Sequence, residues 1–306
     1  MLKRRSFNQW LLSLPVLGLL TSSQTLASQS RVLMKTIPAS GQQIPAVGMG
    51  TWITFDHHPE RVDLTQYVEI LEAFFAGGGQ MIDSSPMYGF AQQLLGATLP
   101  KVSQADRLFA ATKVWVPGQQ MGRQQMQQSI HLWGTENMDL MHVHNMLDWQ
   151  AHWPTLKKWK SQGRIKYTGI TTSHGRRHTD LLRFLHEQVV DFVQFTYNIH
   201  DREAEQRLLP LAQERGVAVV INRPFQGGSL FARVTNKPLP PWAAEIQCHN
   251  WSQFFLKFII SHPAVTCAIP ATSQLSHMQE NMLALQGDMP DSAMRQAMIE
   301  YYQSVV

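Results

Sequence analysis

The chain has 306 residues, 44% of them hydrophobic, with 26 lysines and arginines against 22 aspartates and glutamates and only two cysteines. That composition excludes a disordered chain, a collagen-like repeat and a disulfide scaffold, and Cys248 and Cys267 lack any zinc-ligand spacing. The formal charge of +4 comes largely from Lys3, Arg4 and Arg5. The remainder is close to neutral, which gives no electrostatic reason to expect nucleic acid or an anionic membrane as partner.

Residues 1–27 read as an address. A basic start is followed by an apolar run from Trp10 to Leu20 and by Thr25-Leu26-Ala27, with small residues at the −3 and −1 positions of a secretory cleavage site. The run contains Ser13, Pro15 and Gly18 and is shorter than the ~20 residues of a membrane span. Arg4-Arg5 followed by Phe7 resembles the twin-arginine signal of bacteria, which exports proteins already folded. Lys3 and Asn8-Gln9 depart from its usual pattern. An ordinary secretory signal and an uncleaved anchor are the alternatives. The expectation is a cleaved signal, passage through the twin-arginine machinery and a periplasmic location.

From Ser28 onward short apolar runs alternate with amphipathic stretches. Arg31 to Val47 holds two short alternating runs, expected as a hairpin that closes a barrel floor. Strands are expected at Val47–Thr51, Gln80–Asp83, Leu108–Lys113, Met138–His144, Ile165–Ile170, Val190–Phe195, Val217–Ile221 and Val265–Ile269. Helical patterns lie between them, among others at Leu64–Ala76, Glu203–Arg215, Ser252–Ile260 and Ser276–Leu285, with a further helix at the C-terminus. Gly77-Gly78-Gly79, Gly163 and Gly216 stand where helices must stop before the next strand. Eight strand–helix alternations predict an α/β fold, a single (β/α)8 TIM barrel over residues 28–306. A Rossmann unit is excluded because Gly48-Met49-Gly50-Thr51-Trp52-Ile53 lacks the third glycine of its fingerprint. No polar or proline-rich linker divides the chain. Asn236–Pro241 falls in a loop of the active face, and Gln119–Gln128 reads as the polar face of a helix.

In such a barrel the chemistry sits where strands end. Those ends carry Asp83, Lys113, His144, Thr172, Gln194 and Arg223, with Tyr88 just beyond the second strand. Taken singly each has an ordinary reading: Asp83 a helix cap, Lys113 a solvent-reaching cation, His142 or His144 a packed side chain. Together Asp83, Tyr88, Lys113 and His144 describe a proton-transfer site. Tyrosine titrates near 10 and is a weak acid at neutral pH; a nearby ammonium held by a carboxylate lowers that value. A neutral histidine can donate to a developing oxyanion. His144, nearer the strand end, is the functional choice and His142 the structural one. Trp52, Trp115 and Trp149 lie near strand ends and are candidates for an aromatic pocket wall. Trp133, Trp153, Trp159 and Trp251 read as core.

Asp83-x-x-x-x-Tyr88-Gly89, Ala111-Thr112-Lys113 and Asp139-x-x-x-x-His144 resemble the aldo-keto reductase family. So do Gly50-Thr51-Trp52, Gly169-Ile170-Thr171-Thr172, Val193-Gln194, Arg223-Pro224-Phe225 and Ile269-Pro270-Ala271-Thr272 followed by Glu280-Asn281. The resemblance runs in order from Arg31 to Leu285. It implies a monomeric barrel that binds NADP(H), with NAD(H) open, and reduces a small-molecule carbonyl. By resemblance Tyr88 is the proton donor, Asp83 and Lys113 tune it, and His144 orients the carbonyl oxygen. Thr51 and Trp52, then Thr172 and Gln194, then Arg223, Pro224 and Phe225 stand where the family holds the cofactor. Thr272, His277, Glu280 and Asn281 stand at its adenosine end. Two departures are visible. Asn222-Arg223 replaces an aromatic that many members stack on the nicotinamide, and Ala271–His277 carries no permanent cation for a 2′-phosphate. The alternatives are a cofactor-holding or partner-binding protein with marginal turnover, and a cofactor-independent acid–base barrel.

Overall fold

A computed structural model describes residues 32–306; the export address expected over 1–27 lies outside the described residues. In chain order, β1 (Met34–Thr36) and β2 (Gln43–Pro45) pair as an antiparallel hairpin. There follow β3 (Met49–Gly50), α1 (Leu64–Ala76), β4 (Met81–Asp83), α2 (Ala91–Thr98), β5 (Phe109–Val114), α3 (Gln119–Trp133), β6 (Met138–Val143) and α4 (Trp149–Ser161). The second half comprises β7 (Ile165–Thr171), α5 (His178–Glu187), β8 (Phe192–Thr196), α6 (Leu208–Glu214), β9 (Ala218–Asn222), α7 (Ser229–Arg233) and α8 (Trp251–Ile260). β10 (Cys267–Ala268), α9 (Leu275–Leu283) and α10 (Ser292–Val305) complete it.

Strands β3 to β10 lie side by side in chain order, all parallel. Parallel bridges Val47–Ala268 and Gly50–Ala271 join the two edges. The Gly48 N–H donates to the Ala268 carbonyl (2.8 Å) and the Ala268 N–H to the Ala46 carbonyl (2.9 Å). The sheet therefore closes into the expected eight-stranded barrel.

Side-chain alternation along the strands builds two cores. Met81, Phe109, Ala111, Leu140, Tyr167, Phe192 and Val220 point inward and fill the barrel. The opposite faces meet the helices in a larger cluster that includes Phe74, Phe75, Trp133, Trp153 and Phe254. Each such large apolar side chain contributes about 1.5–3 kcal/mol by leaving water. The hairpin seals one end. Ile37 and Ile44 join the inner cluster, Ser40 Oγ lies 2.6 Å from Tyr167 Oη, and Tyr167 donates to Gln42 Oε1 (2.9 Å). With that end closed, the carboxyl ends of the strands form the open mouth.

The helices follow from local sequence. Asp63 caps α1 by accepting from the Thr65 N–H (2.9 Å), and Ile70, Leu71, Phe74 and Phe75 give it a buried stripe. The pattern expected as one helix over Glu203–Arg215 is instead a 3-10 turn at Glu203–Glu205 followed by α6. Pro210 has no N–H to donate to the carbonyl of Gln206, so the helix restarts at Leu208. Strand β6 ends at Val143, one residue short of His144, because Asn145 and Met146 take left-handed conformations (φ 52° and 55°) that turn the chain. No helix among the described residues is long and apolar enough to cross a membrane.

Candidate active site

A cavity of 740 Å³ opens at the mouth of the barrel, within the size range of small-molecule sites. Its lining includes Thr51, Trp52, Asp83, Tyr88, His144, Thr172, Gln194, Arg223, Pro224 and Phe225. The strand-end residues singled out in the sequence thus meet in one place, and Lys113 lies sealed directly beneath. Thr272, His277, Glu280 and Asn281 are outside this lining, which reaches only Ile269 and Ala271 on that side.

The floor is an ion pair. Lys113 Nζ donates to Asp83 Oδ2 at 2.5 Å and to the Ser84 carbonyl at 2.8 Å, and both charged side chains are buried. Gln194 Nε2 donates to the other carboxylate oxygen of Asp83 (3.1 Å). Burial pushes Asp83 up and Lys113 down, and in each case the partner charge opposes the shift. Thr51 ties the first loop to this floor by donating to the Asp83 carbonyl (3.0 Å) and to Ser84 Oγ (2.9 Å).

Tyr88 lies above the pair. The Lys113 ammonium is 5.1 Å from the centre of the Tyr88 ring, a cation–π approach rather than a hydrogen bond to the hydroxyl. The expected lowering of Tyr88 by Lys113 is therefore corrected. Burial, then the Asp83 carboxylate, holds the Tyr88 hydroxyl well above the ordinary phenol value. Lys113 has its hydrogen bonds directed to Asp83 and Ser84 instead. Gly89 lets this loop close: its φ is +55°, and a side chain there would run into the Asp56 carboxylate, which accepts from the Phe90 N–H (2.9 Å).

His144 faces Tyr88 edge to face, ring centres 5.8 Å apart and planes at 85°. Its Nδ1 lies 2.9 Å from Ser85 Oγ. Burial, then the Lys113 charge, pulls it down to about 2, so the ring is neutral at any pH near 7. Asp139, part of the motif that marked His144, accepts from the Ala110 N–H (2.8 Å) and pins two strands. It lies outside the cavity lining.

On the far side, Asn222 Nδ2 donates to the Thr172 carbonyl (2.9 Å) and its Oδ1 accepts from Thr196 (2.7 Å). Asn222 thus ties three strand ends together where an aromatic was noted as missing. Thr172 Oγ1 is buried without a partner among the described residues. Arg223, at φ 50°, brings its guanidinium to 6.0 Å from the Trp52 ring centre across the mouth, and makes no ion pair among the described residues. Trp115 is 40% exposed and its ring centre is 6.4 Å from that of His144, a rim position. Trp149 packs on Phe184 at 4.9 Å and belongs to the helical layer, not to the pocket wall. Ser84, Ser85 and Asn222 are the site residues that sequence reasoning gave no such role. Only the Ser-Ser-Pro turn before Tyr88 signalled the first two. Among the described residues no group of three or more His, Cys, Asp or Glu side chains is placed to hold a metal.

A model of the Aldo/keto reductase family matches residues 46–298. The NADH-specific methylglyoxal reductase of Escherichia coli (strain K12) is 25% identical over 244 residues, which is 68% of this chain and 72% of that protein. The holo form of an aldo-keto reductase from Bacillus halodurans superimposes with a TM-score of 0.73 at 19% identity, over 89% of this chain and 96% of that one. An aldo/keto reductase from Klebsiella pneumoniae, solved with NADP and acetate, gives 0.70 at 22% identity over 88% and 96%. Those two structures speak for the fold. The family match runs from before the first barrel strand into α10 and leaves no part of the barrel outside it: the chain belongs to the aldo/keto reductase family and is an NAD(P)H-dependent oxidoreductase.

Proposed function

We propose that the chain reduces a small aldehyde or ketone to the alcohol, with Tyr88 as proton donor. The observation that carries this reading is the edge-to-face pair of Tyr88 and His144, two uncharged side chains at the wall of one cavity above a buried Lys113–Asp83 pair. His144, held neutral, orients the carbonyl oxygen and stabilises the charge that develops on it. Tyr88 keeps its proton until that charge appears. A developing alkoxide is a far stronger base than a phenolate, so transfer from Tyr88 is favourable even though its acidity is weakened by burial.

The residues present fit a nicotinamide cofactor. Thr172 lines the cavity and its buried hydroxyl has no partner among the described residues, which suits a carboxamide, and the Arg223 guanidinium, without an ion pair among the described residues, suits a phosphate. When bound, the reduced nicotinamide supplies the hydride that reaches the carbonyl carbon. Trp52, Thr172, Gln194, Arg223, Pro224 and Phe225 would hold its inner part, and Thr272, His277, Glu280 and Asn281 the adenosine end. Gln194 already donates to Asp83, which leaves Thr172 as the freer contact. NADP(H) is the proposed cofactor and NAD(H) the second. The relative from E. coli is NADH-specific by name, the Klebsiella protein was solved with NADP, and Ala271–His277 offers no fixed cation to decide between them.

The test is Tyr88→Phe, assayed for oxidation of reduced nicotinamide with a panel of aldehydes and 2-oxoaldehydes. Turnover should fall at least ~100-fold, the usual scale of a general-acid contribution, with cofactor affinity unchanged within about twofold. Unchanged turnover overturns the assignment. We also propose that residues 1–27 deliver the chain to the periplasm through the twin-arginine machinery. Cell fractionation of an Arg4→Lys/Arg5→Lys variant should show retention in the cytoplasm; an unaltered distribution contradicts the route.

A further inference from the structure

We propose that Ser85 is a positioning residue that fixes which nitrogen of His144 carries the proton, and that it does so from the same turn that carries Tyr88. The inference rests on the reading of His144 given above and deepens it.

Ser85 is sealed from solvent, and its Oγ lies 2.9 Å from Nδ1 of the buried His144. That contact alone allows either atom to donate. A second one decides: the backbone N–H of Met87 donates to the same Ser85 Oγ at 3.2 Å. The Met87 N–H offers no acceptor, and among the described residues the sealed Ser85 hydroxyl has no hydrogen-bond partner besides these two, so its proton is left without an acceptor unless it goes to the imidazole. Ser85 then donates to Nδ1, and the ring proton resides on Nε2. A neutral imidazole so arranged has its second nitrogen as an N–H donor, the polarity needed to meet a carbonyl oxygen. The opposite tautomer would present a lone pair to that oxygen and repel it.

Ser85 also opens the turn that places Tyr88. The Tyr88 N–H donates to the Ser85 carbonyl (2.9 Å), closing a four-residue turn with Pro86 at its second position, where the fixed φ of proline favours the bend. One residue therefore anchors the proton donor through its carbonyl and the neighbouring imidazole through its hydroxyl. The Tyr88–His144 ring separation of 5.8 Å follows from that shared anchor.

Three full-length variants and one spectroscopic measurement test this. Nitrogen-15 NMR of the histidine-labelled protein at neutral pH should show His144 protonated on Nε2 and bare on Nδ1. Ser85→Ala should populate the other tautomer and lower kcat about tenfold, the scale of one lost neutral hydrogen bond, while KM for the cofactor stays within about twofold. Ser85→Thr, which keeps the hydroxyl, should restore both tautomer and kcat. A wild-type His144 protonated on Nδ1 overturns the proposal. So does a Ser85→Ala protein with unchanged tautomer and unchanged kcat. His144→Ala separates the two layers: loss of reduction there, with no effect in Ser85→Ala, removes Ser85 alone. Retained reduction in His144→Ala overturns the role of His144 and that of Ser85 with it.

Discussion

Lys113 Nζ sits 2.5 Å from Asp83 Oδ2, and neither side chain reaches solvent. Bringing both charges out of water is costly, and the pair is tolerable because each neutralises the other and the Ser84 carbonyl and Gln194 amide meet what remains. Removing one partner leaves a buried charge without compensation. Lys113→Met should lower the unfolding free energy by about 3–5 kcal/mol. The double variant Asp83→Asn/Lys113→Met should lose clearly less than the two single losses combined. Urea unfolding of the four proteins measures the coupling, and simple additivity would contradict it.

Acid should destabilise the fold through its buried imidazoles. His142 and His144 are held down first by burial and then by the Lys113 charge, and His262 is pulled to about 4 by burial and by Arg295. The unfolded chain binds these protons near pH 6.5 and the folded chain does not. Their contribution is thus complete above pH 6.5 and is lost as pH falls below it. Each group adds about 1.4 kcal/mol per pH unit to the fall. Among the described residues His142 has no partner for either ring nitrogen. In His142→Leu the slope between pH 6.5 and 4 should become shallower by about that amount. Unfolding titrations across that range, parallel for wild type and variant, would contradict the account.

Gly169 stands opposite His142 in the register of β6 and β7, and a Cβ there would fall on His142 Nδ1. Gly169→Ala should therefore cost about 1–3 kcal/mol by overpacking. In a His142→Ala background the same change should cost less than about 0.5 kcal/mol. Equal losses in both backgrounds, measured by urea unfolding, would show that the imidazole is not what the glycine makes room for.

The barrel was legible because its signals are local. Alternating apolar residues give the strands, the stripe from Leu64 to Ala76 gives α1 to the residue, and glycines mark the stops. Boundaries differ where proline or left-handed residues interrupt an element. Pro210 splits the expected sixth helix, whereas Val265–Ile269 shortens at both ends to Cys267–Ala268. Asp83, Tyr88, Lys113 and His144 were legible as strand-end chemistry, since such residues at such places have few structural uses. The direction of the Lys113 ammonium was not legible. Whether it meets the Tyr88 hydroxyl or the Asp83 carboxylate depends on a separation of a few ångströms set by the Ser85–Tyr88 turn. From sequence Asn222 shows only as a missing aromatic, because its three partners, Thr172, Gln194 and Thr196, lie at the ends of neighbouring strands that only closure of the barrel brings beside it.

Arg223 reaches across the mouth toward Trp52 with no carboxylate paired to it among the described residues. If it meets a cofactor phosphate, Arg223→Ala should weaken cofactor binding by about 1–3 kcal/mol, the loss of one charge-assisted contact. Equilibrium titration of the variant measures this. An unaltered dissociation constant would assign Arg223 to the substrate or to the loop itself.

The most direct measurement is a titration of the cofactor-free protein with NADPH and, separately, NADH, following tryptophan fluorescence. Trp52 lines the cavity and should report occupancy, so the quench should diminish in Trp52→Phe. The account predicts micromolar binding of at least one of the two, with the ratio of their affinities giving the preference that Ala271–His277 leaves open. A folded protein that binds neither would contradict the reductase reading at its base.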